Sequence, residues 1–223
     1  MFMVLKGVIF DLDGVITDTA EFHFRAWQDL GEKIAIPFDR EFNEKLKGIS
    51  RMDSLERILE HGGKNNAYTI EEKEALAKEK NDDYVELIKE ITPADILPGV
   101  KKFLDDCLAA GLKLGLASAS KNGPAILENL GLTDYFEIVV DPASLANGKP
   151  DPEIFLKGAE MLGLTPAECV GVEDAEAGVE SINGAGMFSV GVGTADSMKE
   201  ADMFVENTAD LDLEAIIKAH SGK

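Results

Sequence analysis

The residues that most clearly carry chemistry are Asp11-Leu12-Asp13-Gly14-Val15, which follow directly on an apolar run at 4–10. Two carboxylates two residues apart at the end of a buried strand are costly unless something offsets them. A divalent cation, magnesium for example, is the simplest compensation because it takes hard oxygen ligands. An ordinary acidic turn is the plainer reading of so short a motif. Three further segments have the same character. Leu116-Ala117-Ser118-Ala119-Ser120-Lys121-Asn122-Gly123 puts small hydroxyl residues where a strand gives way to a helix, a place that offers N–H and O–H donors to a phosphate. Capping of that helix by Ser120 or Asn122 is the alternative. Gly148-Lys149-Pro150 sets a cation in a loop that opens a helix, where it can pair with phosphate. Gly171-Val172-Glu173-Asp174 again ends an apolar run on adjacent acids, and Asp174 can also be read as a helix cap.

These positions need strands to hold them. Apolar runs at 4–10, 112–117, 138–140, 169–172, 188–192 and 203–205 have the length and composition of buried strands. Helical patterns lie near 100–110, 122–130, 152–162, 175–184 and 210–219. Strands alternating with helices predict a doubly wound parallel sheet with helices on both faces. Such sheets bind ligands at the carboxyl ends of their strands, where all four segments fall. The stretch from about residue 20 to 90 has no strand-like run. Phe22, Trp27 and Leu30 are expected on one side of a first helix; Phe42 and Leu46 mark a second and Leu55, Ile58 and Leu59 a third. A long fourth runs over 71–90, with Leu76, Tyr84, Leu87 and Ile88 at helical spacings. Two prolines and a glycine in 91–99 suggest a linker. The expected organisation is an α/β core from 1–18 and 92–223, with an all-helical cap inserted at 19–91.

Hydrophobic residues are 45% of the 223 and charged residues 29%, enough for a sizeable core. The formal charge of −20 argues against nucleic-acid or anionic-membrane partners, which need basic surface. It does not forbid an anionic substrate, because a few local cations and one metal can invert the field in a cleft. Cys107 and Cys169 have no partner at metal-ligand spacing; Cys169 reads as a buried thiol, and a reducing cytoplasm fits. The apolar stretch at 1–10 is broken by Lys6 and Gly7 and ended by Asp11, so it is expected to be a core strand and not a signal peptide.

Taken in order, Asp11-x-Asp13-Gly14, Ser118, Lys149-Pro150 and Glu173-Asp174 resemble the four motifs of the haloacid dehalogenase superfamily. The resemblance spans essentially the whole chain and implies a Rossmann-like core with a helical cap inserted after the first motif. Within that superfamily, Thr17 to Trp27 resembles the hinge and first cap helix of its hexose-phosphate mutases, and Lys47-Gly48-Ile49-Ser50-Arg51 resembles their specificity loop. Ala77-Lys78-Glu79-Lys80-Asn81-Asp82 and Ser118 to Gly123 are similar to further segments of those mutases. Ile49 stands where a valine is expected.

The resemblance implies Asp11 as a phosphoryl-accepting nucleophile and Asp13 as general acid/base. It implies magnesium held by the Asp11 carboxylate, the Asp13 backbone carbonyl, Glu173 and Asp174. Ser118, the Ala119 N–H and Lys149 would grip the transferring phosphate. Gly48, Ile49 and Arg51 on the cap, with Ser120, Lys121 and Asn122 on the core, would bind substrate and its second phosphate. Thr19, His23 and Lys80 would meet as the cap closes; for His23 the alternative is simple packing under the cap. The implied reaction interconverts β-D-glucose 1-phosphate and D-glucose 6-phosphate through β-glucose 1,6-bisphosphate and an aspartyl-phosphate enzyme. A sugar-phosphate phosphatase of the same superfamily is the alternative, and a catalytically silent binding module is a third reading. The expected setting is a cytoplasmic monomer acting on small hexose phosphates.

Overall fold

The computed structural model describes residues 4–222. The residues at 1–3, part of the apolar stretch read above as a strand, lie outside the described residues. Six parallel strands form one sheet: β1 (Gly7–Phe10), β2 (Lys113–Leu116), β3 (Ile138–Val139), β4 (Cys169–Glu173), β5 (Phe188–Val192) and β6 (Met203–Val205), in the order β3-β2-β1-β4-β5-β6. β1 is central, with Phe10 opposite Leu116 of β2 and Val172 of β4. The order reverses direction on either side of β1, which puts the switch point, and the expected ligand crevice, at the carboxyl end of that strand.

Alternation along the strands builds the two faces of the sheet. Val8 and Phe10 join Leu114, Leu116, Val170 and Val172 on one face; Ile9 lies in a separate apolar cluster on the other. The first face is covered by α5 (Val100–Ala109), α6 (Gly123–Leu130) and α9 (Leu213–Ser221), the second by α7 (Glu153–Leu162) and α8 (Glu176–Gly184). Burial on both faces explains why β1, β4 and β5 read as continuous apolar runs.

Between β1 and β2 lie α1 (Ala20–Lys33), α2 (Arg40–Glu44), α3 (Arg51–His61) and α4 (Ile70–Leu87). The starts of the last three are capped: Asp39, Ser50 and Thr69 each accept a backbone N–H of the first turn, and Thr69 forms a reciprocal capping box with Glu72. Phe24, Trp27, Leu30, Leu55, Ile58 and Leu59 form an apolar cluster of their own. At roughly 1.5–3 kcal/mol per buried side chain, that cluster gives the four helices their own cohesion.

Two helical expectations are corrected. Phe22 does not share a side with Trp27; it packs against the sheet cluster, while Trp27 and Leu30 face the other cap helices. The fourth helix ends at Leu87 and finishes as a tighter turn at Ile88–Glu90. The two connections between these helices and the sheet run side by side. Thr17 bridges Ile96 in antiparallel fashion, Leu97 N–H donates to Ile16 C=O, and the Thr17 hydroxyl donates to Asp95 C=O at 2.8 Å.

Candidate active site

β1 delivers Asp11 to the carboxyl edge of the sheet, where its N–H still pairs with Val172 C=O. The chain must then turn sharply, and Gly14 (φ +73°) makes that turn. A Cβ there would sit 2.1 Å from Asp174 Oδ2, so glycine is required both for the left-handed backbone and for the approach of Asp174. β4 ends on Glu173, whose carboxylate occupies the space that a Cβ on Gly178 of α8 would fill, at 1.8 Å. Gly178 was not singled out from the sequence, since its role depends on a crossing of helix and strand that no local pattern reveals.

Below the cleft floor, Lys149 is fully buried and bonds Asp11 Oδ1 at 2.7 Å and Glu173 Oε1 at 2.6 Å. Burial works against its charge, but Asp11 and Glu173 outweigh that and hold its pKa above the usual lysine range. Burial, with Asp11 nearby, raises the pKa of Glu173 despite Lys149. Burial, then Glu173 and Asp11, raises that of Asp174 further. Asp11, Glu173 and Asp174 each bring a carboxylate oxygen within 4.8 Å of the others. An all-oxygen, crowded acidic set, with Asp11 and Glu173 buried and Asp174 half-buried, fits a hard divalent cation. Asp174 does not cap α8, which begins after Ala175 without a side-chain cap.

Asp13 turns the other way. Its backbone N–H donates to Asp11 Oδ2 at 3.1 Å, and its Oδ1 accepts the Thr19 hydroxyl. Burial, with Asp11 beside it, pushes its pKa up to about 7. Ser118, after β2, is buried and accepts the Ser120 N–H at 3.1 Å, which leaves its own hydrogen for a ligand. Neither Ser120 nor Asn122 caps α6 with its side chain. The Ser120 hydroxyl accepts the Asn122 N–H at 3.2 Å, and the Asn122 amide donates to Asn81 of α4 at 2.9 Å, across the cleft.

Above the cleft, Thr19 at the head of α1, and His23 and Trp27 on it, stand at successive i, i+4 positions, against Lys80 and Tyr84 of α4 at the same spacing. Lys80 is 2% exposed, lies 2.8 Å from His23 Nδ1, and its ammonium stands over both the Trp27 and Tyr84 rings at 4.7 and 4.6 Å. Burial, then the Arg51 charge, lowers its pKa to about 7. Burial and Lys80 hold His23 below its ordinary range. Thr19, His23 and Lys80 meet through Asp13: the Thr19 hydroxyl donates to Asp13 Oδ1, His23 Nε2 lies 3.9 Å from Asp13 Oδ2, and His23 Nδ1 pairs with Lys80. Trp27, Tyr84 and Asn81 complete the arrangement. Their i, i+4 relation to His23 and Lys80 was the available signal for the first two.

Arg51 opens α3 at the cleft wall and makes no hydrogen bond or ion pair among the described residues. Gly48 abuts Ala175, and Gly148 approaches Ser50 and Asp53 of the cap, so the helices lie closed over the sheet. The cleft between them has a volume of about 830 Å³ and is lined by Asp11, Asp13, Asp174, Ser118, Ala119, Ser120, Lys121 and Asn122 from below. Thr19, His23, Gly48, Ile49, Arg51 and Lys80 line it from above. Lys149 and Glu173 support it from beneath.

A family profile described as haloacid dehalogenase-like hydrolase matches residues 5–186. The chain belongs to that haloacid dehalogenase-like family. Among its relatives is the β-phosphoglucomutase of Bacillus subtilis, 54% identical over 95% of this chain and 94% of that protein. The phosphorylated carbohydrates phosphatase of Thermotoga maritima is 30% identical over 91% of each chain. The crystal structure of the Clostridium difficile β-phosphoglucomutase superimposes with a TM-score of 0.96 at 49% identity, covering 98% of both chains. The haloacid dehalogenase fold and its helical cap therefore extend over the full described chain.

Proposed function

We infer that the chain acts as a β-phosphoglucomutase, an isomerase that interconverts β-D-glucose 1-phosphate and D-glucose 6-phosphate through the 1,6-bisphosphate. The single observation that carries this reading is a cavity with the Asp11 site at its floor and a separate cation on its cap side. Lys149 lies under that floor, paired with Asp11, and Arg51, which has no ion pair among the described residues, lines the cavity from the cap. A bisphosphate needs both, and Arg presents a fork suited to phosphate oxygens. The kinship with curated mutases supports the same reading.

In the first half-reaction Asp13 takes the proton of the 6-hydroxyl of β-glucose 1-phosphate as that oxygen attacks the phosphoryl group on Asp11, the bond from phosphorus to Asp11 breaks, and the 1,6-bisphosphate forms. After the bisphosphate turns round, Asp11 attacks the phosphorus at the other end, the bond from that phosphorus to the C1 oxygen breaks, and Asp13 gives the oxygen its proton, which releases glucose 6-phosphate and restores the phosphoenzyme. A pKa of about 7 suits a group that must do both near neutrality. Lys149 orients Asp11 through Oδ1, and the Asp13 N–H orients it through Oδ2. Ser118 and the Ala119 N–H face the transferring phosphate. Asp11, Glu173, Asp174 and the Asp13 carbonyl would hold Mg²⁺, which would offset the repulsion between Asp11 and the phosphate dianion. Gly48 and Ile49 shape the sugar site, with Ser120, Lys121 and Asn122 opposite Arg51. In this reading the core is 1–18 and 92–223, the cap is 19–91, and the enzyme is a cytoplasmic monomer.

The test is a coupled glucose 6-phosphate assay on both anomers of glucose 1-phosphate, with bisphosphate primer. Product from the β anomer alone is expected. A phosphoenzyme that loses phosphate to water faster than to any hexose phosphate would establish the phosphatase reading, the activity named for the Thermotoga relative.

A further inference from the structure

The sequence holds three Asn-Gly pairs: Asn122-Gly123, Asn147-Gly148 and Asn183-Gly184. Asparagine before glycine is prone to lose its side-chain amide, because the next backbone nitrogen can reach the side-chain carbon and no Cβ hinders it. The reaction needs that nitrogen free and a local backbone able to close a five-membered ring.

The fold treats the three pairs differently. Gly123 is buried at the start of α6, its N–H donates to Ser120 C=O at 3.4 Å, and the Asn122 amide is bonded to Asn81. Asn183 and Gly184 close α8, where the helix ladder engages the backbone N–H groups. The Asn183 amide donates to Glu200 C=O at 2.8 Å and its oxygen accepts the Ser189 hydroxyl at 2.8 Å. Asn147 and Gly148 instead lie exposed in the irregular stretch leading into α7, and the Gly148 N–H makes no hydrogen bond among the described residues. The Asn147 side-chain amide is held only by a 3.4 Å contact with Glu153 Oε2.

This loop also carries a functional side chain. Glu153, the first residue of α7, ties the loop down by accepting the Ala146 N–H at 3.0 Å and the Asn147 N–H at 2.8 Å. Lys149, two positions after Asn147, makes the buried ion pairs with Asp11 and Glu173. A carboxylate at 147 would repel that of Glu153. An isoaspartyl link would in addition lengthen the main chain by one carbon just ahead of Lys149.

We propose that Asn147-Gly148 is a site of spontaneous deamidation, and that the isoaspartyl product no longer holds Lys149 in register beneath Asp11. The Gly148 nitrogen gives its proton to solvent and bonds Asn147 Cγ, the bond from Cγ to the side-chain nitrogen breaks, and ammonia leaves. Water then opens the resulting succinimide. Opening at Cγ gives aspartate, and opening at the main-chain carbonyl gives isoaspartate.

The test is incubation of the folded enzyme in mildly alkaline buffer, with peptides mapped by mass and isoaspartyl links located by fragmentation. Chain unfolded in guanidinium is treated alongside. In the folded enzyme, conversion at Asn147 is expected to exceed that at Asn122 and Asn183 by at least about tenfold, since those two must first open locally. In the unfolded chain that excess is expected to vanish. Equal conversion of all three in the folded enzyme overturns the site, as does an unchanged Asn147 over the time in which the unfolded chain reacts. Phosphorylation of Asp11 by a small acyl phosphate with Mg²⁺ is expected to be about ten- to a hundredfold slower in the isoaspartyl fraction, separated by ion exchange. Asn147→Gln keeps an amide, and a Cβ in Gly148→Ala would come no closer than 3.6 Å to Asp53, so both variants are expected to keep their rate throughout. A loss in these variants equal to the parent's, or a full rate in the isoaspartyl fraction, overturns the link to Lys149. That link rests on the Asp11 site proposed above and the conversion does not, so the two can fail separately.

Discussion

Replacing Lys149 by methionine removes the one buried cation under the site while nearly conserving the volume of its stem. In the parent, its ammonium is wholly buried, and it makes two ion pairs, 2.7 Å to Asp11 and 2.6 Å to Glu173, whose side chains are 5% and 0% exposed. Breaking a buried pair from one side leaves an uncompensated charge and costs about 3–5 kcal/mol. In a chain of this size each kcal/mol moves the midpoint by roughly 2–4 °C, so the melting temperature should fall by about 6–20 °C. The measurement is urea and thermal denaturation with chelator present, at two pH values. Without the ammonium, the native pKa values of Glu173 and Asp174, already raised by burial, rise further. The native variant then holds protons that the unfolded chain releases near pH ~4, so its stability falls as pH rises through the raised native values. The deficit should accordingly be larger at pH 8 than at pH 5. A loss under about 1 kcal/mol, the worth of an exposed pair, would refute the view that Lys149 neutralises this site.

Asp13→Asn is expected to slow turnover by about 10²–10⁴-fold while Mg²⁺ binding, followed by titration, is retained; loss of the metal would make the side chain a ligand. Arg51→Ala should reduce mutase turnover strongly and leave hydrolysis of the phosphoenzyme much less changed, because Arg51 is proposed to clamp the phosphate that is not transferring. Equal losses in both rates would remove that role. Gly14→Ala drives a Cβ to 2.1 Å from the Asp174 carboxylate, so weakened Mg²⁺ affinity is expected, and an unchanged affinity would show that Asp174 is not needed for it.

Much of the sheet was legible because its strands are short apolar runs bounded by polar ends, with the central ones buried on both faces. The runs at 188–192 and 203–205 coincide with β5 and β6. The acids at strand ends stood out because a buried strand cannot tolerate them without a reason. Less legible were features decided across space. Phe22 and Trp27 share a helix but face different clusters, since α1 is packed on two sides. Asn122 looked like a cap, yet its amide is drawn off by Asn81 on a helix some forty positions earlier in the sequence. Tyr84 read as one more apolar position, and its stack on His23 does not follow from spacing.

The paired connections at Thr17 and Ile96 have a consequence for how such enzymes diversify. The four helices leave the sheet and return to it at adjacent points, so the sheet sees only a short bridged gap. An insert of another length or shape, grafted at those two points, would leave the strand order, the nucleophile and the acidic cluster where they are. Ancestry can thus trade one roof for another over an unchanged hearth, and substrate choice can drift while the phosphoryl chemistry stays put.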